Sequence, residues 1–154
     1  MVPIDSLRRV EILSGLTDEQ LARVASICQV VTFESRANVV REGDPSDDLY
    51  VIHRGSVEIA LSKNRVTAES LAASGPKAIV SLGQGQVFGE MALIDRGPRS
   101  ATVRCTTDGA QLYKIGRDAF ARLCEQDTDI GYKVMRNIAA DLSFKLRHSN
   151  LSWK

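Results

Sequence analysis

The chain has 154 residues, of which 44% are hydrophobic and 25% charged, and its 20 basic and 19 acidic residues leave a formal charge of +1. This composition suits one globular domain, and a chain so close to neutral is not a general nucleic-acid binder. No apolar run is long enough to span a membrane and the N-terminus has no signal-peptide pattern, so we expect a cytoplasmic protein. Three well-separated cysteines and two histidines, His53 and His148, match no disulfide framework and no metal-site spacing, so we expect neither a metal nor a catalytic site.

The first predicted element is a short helix. Thr17 is a suitable N-cap residue and Gln20 stands at the third helical position, which together form a capping-box pattern. Apolar residues then follow at helical spacing from Leu21 to Cys28. From Val31 the period changes to the alternation of a half-buried strand, so a strand is predicted after the helix.

The middle of the chain predicts several short strands. Residues 49–53 and 57–61 are rich in strand-forming residues and flank a tight turn at Arg54-Gly55, so we predict a hairpin. Residues 63–76 are polar and small without a clear period, which predicts a long exposed loop. Short strands at this spacing are typical of a sandwich or barrel. The remaining predicted strands cover 78–82, 99–104 and 110–115.

Two helices are predicted at the end of the chain, over residues 117–126 and 129–148. The longer helix carries a stripe of apolar residues at steps of four: Ile130, Val134, Ile138 and Leu142. Such a stripe fits either the core face of a packed helix or the seam of a dimer, and the sequence does not separate the two.

The segment from Gly83 to Val103 carries the chemistry. Its glycines at 83, 85 and 89 are spaced one residue wider than a dinucleotide fingerprint and lie outside a βαβ unit, which argues against a Rossmann fold. Residues 90–94 can form one helical turn whose N-terminus offers backbone N–H groups to an anion, and Gly89 would let a ligand approach closely. Arg99, just past a Gly-Pro break, can fold back over this N-terminus and bind phosphate oxygens in pairs.

Two more residues of this segment add to the pattern. Ser100 supplies a hydroxyl donor, and Glu90 is an acceptor that, beside a phosphate site, fits a ribose 2′-hydroxyl. Taken singly, each residue has an ordinary explanation, because the helix dipole favours an acidic first turn, loop arginines are usually solvated and Ser100 fits a strand surface. Together, in one stretch between two strand patterns, they favour phosphate binding.

The same segment resembles that of a known family. The run Phe88-Gly89-Glu90-Met91-Ala92-Leu93, followed by Pro98-Arg99-Ser100-Ala101-Thr102-Val103, closely resembles the phosphate-binding cassette of cyclic nucleotide-binding domains. A second stretch agrees, with Glu42-Gly43-Asp44 ahead of Leu49-Tyr50-Val51-Ile52 and Gly55-Ser56-Val57. Such domains occur in catabolite-activator-type regulators, in regulatory subunits of cyclic-AMP-dependent kinase and in cyclic-nucleotide-gated channels. The resemblance covers nearly the whole chain, from about Ile12 to Leu146.

The resemblance implies a mainly β fold with flanking helices. We expect an eight-stranded β-roll (jelly roll) with an N-terminal helix, a short phosphate-cassette helix and two C-terminal helices. One cyclic nucleotide-binding domain is expected over residues 1–154, with its core over about 12–126 and a lid or dimer helix over about 129–148.

The resemblance also implies the ligand contacts. Glu90 is expected to bind the ribose 2′-hydroxyl and Arg99 the exocyclic phosphate oxygens. In this family a threonine directly after the arginine often accompanies cyclic GMP selection, so Ser100 favours cyclic AMP over cyclic GMP. The expected ligand-binding residues are Gly89, Glu90, Met91, Ala92, Arg99, Ser100 and Ala101. The candidates on the last helix for covering the base are Asn137, Leu142 and Arg147.

These expectations describe a non-catalytic sensor with no cofactor other than its ligand, cAMP or cGMP. Binding is expected to move the C-terminal helices, and the last helix is a candidate homodimer contact. Only Ser149 to Lys154 follow that helix, which leaves no room for a helix-turn-helix, so we expect no direct contact with nucleic acid and none with membranes. The downstream protein partner is not identified by the sequence.

Other functions stay open at this point. The chain could be the sensing part of a larger transcription regulator or effector, or an interaction domain that binds no nucleotide. A cupin-type enzyme would need clustered histidines, which His53 and His148 do not supply.

Overall fold

The structure is a computed structural model, and it describes residues 2–45, 47–61, 79–95 and 97–148. The N-terminal part forms two 3₁₀ helices, Ile4–Ser6 and Glu11–Leu13, followed by helix α1, Asp18–Ala25. The predicted capping box is present at the start of α1. The Thr17 hydroxyl accepts from the Gln20 backbone N–H at 3.2 Å, and the Gln20 side chain accepts from the Thr17 N–H at 3.0 Å.

Within the described residues the chain forms eight strands in two four-stranded antiparallel sheets. The first sheet has the order β1-β8-β3-β6 and the second β2-β7-β4-β5. This arrangement confirms the mainly β fold with eight strands. The strands are β1 (Cys28–Phe33), β2 (Asn38–Val40), β3 (Asp48–Arg54), β4 (Val57–Leu61), β5 (Ile79–Leu82), β6 (Val87–Phe88), β7 (Ala101–Cys105) and β8 (Ala110–Gly116). The loop predicted over 63–76 lies outside the described residues, as does residue 78 of the predicted 78–82 strand.

The predicted hairpin over 49–61 is wrong, although both of its strands are present. Strand β3 pairs with β6 and β8, whereas β4 pairs with β5 and β7, so the chain changes sheets between them. The change occurs at Gly55, which has a φ of +89°. A β-carbon at Gly55 would lie 2.5 Å from the Thr107 hydroxyl oxygen, so this turn is packed tightly against the loop before β8. Local pattern marks a turn but does not determine whether its strands pair or separate.

The first sheet is covered on both faces, which explains why Leu49 to Ile52 are all buried. Side chains alternate along a strand, so Leu49 and Val51 join a core formed with the helices. Tyr50 and Ile52 join the second core, which lies between the two sheets. The predicted ligand-binding segment runs from the end of β6 to the start of β7, and both strands contribute residues to this second core.

The C-terminal helices are α2 (Arg117–Gln126) and α3 (Thr128–Arg147), separated by Asp127, whose carboxylate accepts from two backbone N–H groups at the start of α3. The stripe predicted on α3 is the core face of the helix in this chain. Ile130, Val134 and Ile138 are at most 1% exposed and belong to the core that the helices form with the first sheet. None of the helices in the described part of the chain is long and apolar enough to cross a bilayer.

Candidate ligand-binding site

The predicted single helical turn is present as a 3₁₀ helix over Glu90–Leu93, which we call the cassette helix after the segment it resembles. Gly89 directly before it adopts the left-handed conformation, with φ +78° and ψ +16°. Other residues rarely adopt this conformation, so a glycine here lets the chain turn sharply from β6 into the helix. The turn directs the start of the cassette helix towards Arg99.

The backbone of Arg99 is held by the Glu42-Gly43-Asp44 stretch that the sequence also singled out. The Arg99 N–H donates to the Asp44 carbonyl at 2.8 Å, and the Gly43 N–H donates to the Arg99 carbonyl at 2.9 Å. The Thr102 hydroxyl accepts from the Glu42 N–H at 3.0 Å. The two segments that carry the family resemblance are therefore hydrogen-bonded to each other, and together they fix where the Arg99 side chain starts.

The Arg99 side chain is buried although it is charged, with only 7% of the residue exposed. Its Nη2 donates to the Asp48 carbonyl at 2.8 Å, and its guanidinium carbon lies 5.9 Å from the centre of the Tyr50 ring. Among the described residues, neither Nε nor Nη1 meets an acceptor. A buried cation with two unsatisfied donors is costly on its own, and an anion that accepts from both donors would relieve that cost.

The Glu90 carboxylate lies nearby in a partly buried position. Its Oε2 atom is buried and has no hydrogen-bond donor among the described residues. Burial raises the pKa of Glu90 above its usual value; the charge of Asp141 adds to this rise, and the charge of Lys145 opposes it. A buried carboxylate with a free lone pair is suited to accept a hydrogen bond from a ligand hydroxyl.

These groups surround one cavity of about 320 Å³, which we call the site cavity. Its volume falls within the range of ordinary small-ligand sites. The polar side is formed by the cassette region and by Lys145 of α3, and the rest of the wall is apolar. The apolar residues are Val40, Ile59, Val80, Leu82, Val87, Phe88 and Val103. The site cavity can therefore hold a ligand with an anionic group, a hydroxyl and a flat apolar part.

Comparison with known proteins agrees with this geometry. A sequence model of the cyclic nucleotide-binding domain matches residues 30–127. This chain belongs to that family. The chain is 32% identical over 117 residues to a cAMP-dependent protein kinase regulatory subunit from Emericella nidulans. The match covers 76% of this chain and 26% of the relative. The chain therefore spans about a quarter of the length of the curated relatives it matches.

Two solved structures share the fold at similar identity. The N-terminal domain of a transcriptional regulator from Streptomyces coelicolor A3(2) has a TM-score of 0.76 at 26% identity, over 96% of this chain and 99% of that chain. The regulatory domain of Toxoplasma gondii PKA, in a co-crystal with cAMP, has a TM-score of 0.63 at 27% identity, over 78% of this chain and 42% of that chain.

In this cyclic nucleotide-binding domain, the structure brings five of the seven predicted ligand-binding residues to the site cavity: Gly89, Glu90, Arg99, Ser100 and Ala101. The other two belong to the cassette helix but do not line the cavity. The Met91 residue is 44% exposed, whereas Ala92 is fully buried and its N–H donates to the Gly89 carbonyl. Their predicted contact with the ligand stays a prediction.

The three candidates on α3 for covering the base do not line the site cavity. The side-chain amide of Asn137 donates to the Ile12 and Ser14 carbonyls at 3.0 and 2.9 Å, and Leu142 packs against the helical core. Arg147 is exposed. The residue of α3 that lines the cavity is Lys145, which sequence analysis missed. Two signals were available for it: it stands four residues after Asp141, which allows an ion pair along a helix, and three residues after Leu142, at helical spacing from the apolar stripe.

Sequence analysis also missed the aromatic support beneath Arg99. The Tyr50 and Phe88 rings stack with their centres 5.1 Å apart and their planes 12° apart. Both residues are buried in the core between the sheets. Because the Tyr50 ring also lies under the Arg99 guanidinium, this stack supports Arg99 from the second core.

Arg117 joins the cassette helix to the C-terminal helices. Arg117, the first residue of α2, donates from Nη1 to the Ala92 and Asp95 carbonyls at 3.4 Å each, and its Nη2 lies 2.9 Å from an Asp47 carboxylate oxygen. Its backbone N–H also donates to the Asp47 carbonyl at 2.9 Å. Arg117 thus links the cassette helix to the start of α2.

Among the described residues, no three histidine, cysteine, aspartate or glutamate side chains are grouped so that they could hold a metal ion. The groups of the site cavity suit recognition of a ligand. Arg99 and the cassette backbone can bind a phosphate, and Glu90 can accept a hydrogen bond from a hydroxyl.

Proposed function

We propose that this domain is a non-catalytic sensor that binds cAMP in preference to cGMP, and that binding moves α2 and α3. The observation that carries the proposal is Arg99, a buried arginine whose Nε and Nη1 donors meet no acceptor among the described residues. Its third nitrogen is already held by the Asp48 carbonyl, so the two remaining donors have a fixed direction. A phosphate can satisfy such buried donors, because its oxygens accept strong, charge-assisted hydrogen bonds from a guanidinium.

The sugar of a cyclic nucleotide accounts for the second unsatisfied group. In a cyclic nucleotide the ribose 2′-hydroxyl is the only free hydroxyl of the ring, and it lies next to the cyclic phosphate. Glu90 and Arg99 line the same cavity, and Glu90 has a buried oxygen without a donor. A ligand that offers a phosphate and a neighbouring hydroxyl would satisfy both residues at once, which neither an inorganic anion nor a neutral nucleoside does.

The preference for cAMP is supported by Ser100 and by some of the relatives. A serine stands where a threonine often accompanies cGMP selection in the family, and Ser100 lines the site cavity. The Emericella relative is named for its dependence on cAMP, and the Toxoplasma structure was determined with cAMP. The remainder of the cavity wall is apolar, so it offers few hydrogen bonds that would favour a guanine base.

Coupling to the C-terminal helices is supported by two contacts. Arg117 joins the carbonyl end of the cassette helix to the first turn of α2, and Lys145 brings the end of α3 to the cavity wall. A ligand moves these helices only if it binds one of their positions more tightly than another. The difference in ligand affinity between the two helix positions would depend on the contacts that the ligand makes with Glu90 and Arg99.

Isothermal titration calorimetry with cAMP, cGMP and AMP tests the proposal. We expect saturable binding of cAMP, weaker binding of cGMP and no binding of AMP at comparable concentration. Arg99→Ala should weaken cAMP binding by about 2–5 kcal/mol, because the phosphate then lies buried without its cation. The matched control is Arg104→Ala, which removes an arginine of β7 that pairs with Glu58 at the surface. An absence of heat with both cyclic nucleotides would favour an interaction domain without a ligand.

The wider role of the chain is also proposed rather than derived from its relatives. We propose that it forms the sensing part of a regulator whose output is carried by a partner protein, without direct binding to nucleic acid. A homodimer through α3 is supported by Tyr132 and Ala139, which are exposed on that helix in the single chain. Analytical ultracentrifugation with and without cAMP would test it, and a monomer in both conditions would overturn it.

A further inference from the structure

A second, smaller cavity of about 110 Å³ adjoins the site cavity. Four residues line both cavities and form the wall between them: Leu82, Val87, Glu90 and Lys145. Two of these are apolar, so the polar part of the wall consists of one carboxylate and one ammonium group. The cassette helix supplies the first and the last turn of α3 supplies the second.

Several other charged groups surround this pair. The Lys145 Nζ atom lies 2.9 Å from an Asp141 carboxylate oxygen, and Asp141 and Glu11 both line the second cavity. On the other side, Arg99 lines the site cavity, and Arg117 contacts the carbonyl end of the cassette helix. Two acidic groups therefore compete with Glu90 for the charge of Lys145, while Arg99 and Arg117 each donate to backbone carbonyls and carry positive charges of their own.

We propose that Lys145 is a positioning residue for Glu90. The ammonium group of Lys145 keeps the Glu90 carboxylate ionised and available to a ligand hydroxyl. Asp141 weakens this effect by holding the same ammonium group. This inference rests on the proposed function, since the hydroxyl is that of the bound cyclic nucleotide. It assigns to the end of α3 a part in recognition of the sugar.

The direction of each electrostatic effect supports this role. Burial raises the pKa of Glu90, Lys145 lowers it, and Asp141 raises it. For Lys145, burial alone would lower the pKa, but the hydrogen bond to Asp141 and the charges of Glu90, Asp141 and Glu11 outweigh burial and raise it. An ionised carboxylate accepts a stronger hydrogen bond from a hydroxyl than a protonated one does. Because the Lys145 side chain is 59% exposed, solvent screens its charge and the effect is moderate.

The direct test is a pH titration of the Glu90 carboxyl group in the unliganded protein, monitored by the NMR chemical shift of its carboxyl carbon. Removing the ammonium group in Lys145→Met should raise the titration midpoint of Glu90, and Lys145→Arg should leave it near the wild-type value. Asp141→Asn should lower the midpoint, because it removes a like charge and releases Lys145. The matched control is Lys133→Met, since Lys133 is also on α3 and also pairs with an aspartate four residues earlier, Asp129, at 2.9 Å.

Calorimetry with cAMP between about pH 5 and pH 8 gives the functional readout. A protonated Glu90 is the poorer acceptor, so affinity should fall as pH falls. That fall should occur at higher pH in Lys145→Met and at lower pH in Asp141→Asn. In the pH range where the Glu90 carboxyl titrates by NMR, we expect Lys145→Met to bind cAMP about three- to tenfold more weakly than wild type. With 2′-deoxy-cAMP, which lacks the hydroxyl, the two variants and wild type should differ little.

The outcomes separate this inference from the proposed function. An unchanged Glu90 midpoint in both Lys145→Met and Asp141→Asn would overturn the role of Lys145, even if cAMP binds normally. Failure of wild type to bind cAMP would overturn the proposed function, while the NMR titration would still decide the Lys145–Glu90 interaction. Should Lys145→Met not fold, Asp141→Asn tests the same interaction with the opposite sign.

Discussion

The Arg99 guanidinium lies directly over the α-carbon of Gly89. A β-carbon at Gly89 would be 2.5 Å from Arg99 Nη1 and 2.9 Å from the Asp48 carbonyl oxygen that accepts from Arg99 Nη2. Gly89 is therefore required twice, once for its left-handed backbone and once because no side chain fits beneath the guanidinium. The position of the Arg99 side chain depends on the absence of a side chain at Gly89.

We expect Gly89→Ala to abolish cAMP binding, because it displaces Arg99 as well as straining the backbone. The strain alone costs about 1–2 kcal/mol of stability. The matched control is Gly109→Ala, where φ is +68° and a β-carbon would meet no atom within 4 Å. Urea unfolding should show a loss of stability in both variants, larger in Gly89→Ala because its β-carbon also meets the Asp48 carbonyl, and calorimetry should show a loss of binding in Gly89→Ala alone. Normal cAMP affinity in Gly89→Ala would contradict the described position of Arg99.

The second prediction concerns the contact between the cassette helix and α2. Arg117→Ala removes the donors to the Ala92 and Asp95 carbonyls and the ion pair with Asp47, so ligand binding should no longer be transmitted fully to the helices. Hydrogen exchange of α3 amides, with and without saturating cAMP, measures this transmission. We expect a smaller ligand-dependent change in Arg117→Ala than in wild type.

The control for this variant is Arg122→Ala, an exposed arginine on the same helix. It should respond to cAMP as wild type does. If Arg117→Ala also showed the full wild-type change in α3 protection, the route through Arg117 would be refuted and α3 would have to respond through another contact, such as Lys145.

Much of the local structure could be predicted because it depends on neighbours in sequence. Helix α2 spans the predicted residues 117–126, and the Thr17–Gln20 capping box forms as the spacing indicates. The sheet change at Gly55 could not be predicted in the same way. A turn with strand-forming flanks is compatible with pairing or separation, and here the packing of Gly55 against Thr107 accompanies separation.

In the candidate site, too, the residues close together in sequence could be predicted and the distant one could not. Gly89, Glu90 and Arg99 lie close together in sequence and could be recognised as a motif, and they line one cavity. Lys145 reaches that cavity from a helix 46 residues after Arg99. It follows Ile138 by seven residues and Leu142 by three, so the helical period places it on the face of the apolar stripe, but the period does not show that this end of the face lies at the cavity. Which part of a helix faces a cavity depends on how the helix docks on the sheet, and the pattern of a single sequence does not contain that information.

The third prediction concerns Asn137, whose side-chain amide joins α3 to the N-terminal segment through the Ile12 and Ser14 carbonyls. Asn137→Asp removes both donors and places a negative charge against two carbonyl oxygens. We expect the free energy of unfolding in urea to fall by about 1–3 kcal/mol. Asn38→Asp, at an exposed strand position, should change stability much less. Equal stability of the two variants would show that the Asn137 contacts do not stabilise the docked helix.

The last prediction follows from the burial of Cys28, which raises the pKa of its thiol to about 12. In the unfolded chain this thiol ionises near its ordinary pKa of about 8.5, so above that pH the unfolded state binds fewer protons than the folded state. Stability must then fall as pH rises, by about 2 kcal/mol at about pH 10 from this group alone. Cys28→Ser retains a donor for the Val24 carbonyl, which the thiol contacts at 3.4 Å, but does not ionise in this range. Urea unfolding at about pH 7 and about pH 10 should show a steeper loss in wild type than in Cys28→Ser, whereas equal losses would mean that the folded thiol ionises as freely as the unfolded one.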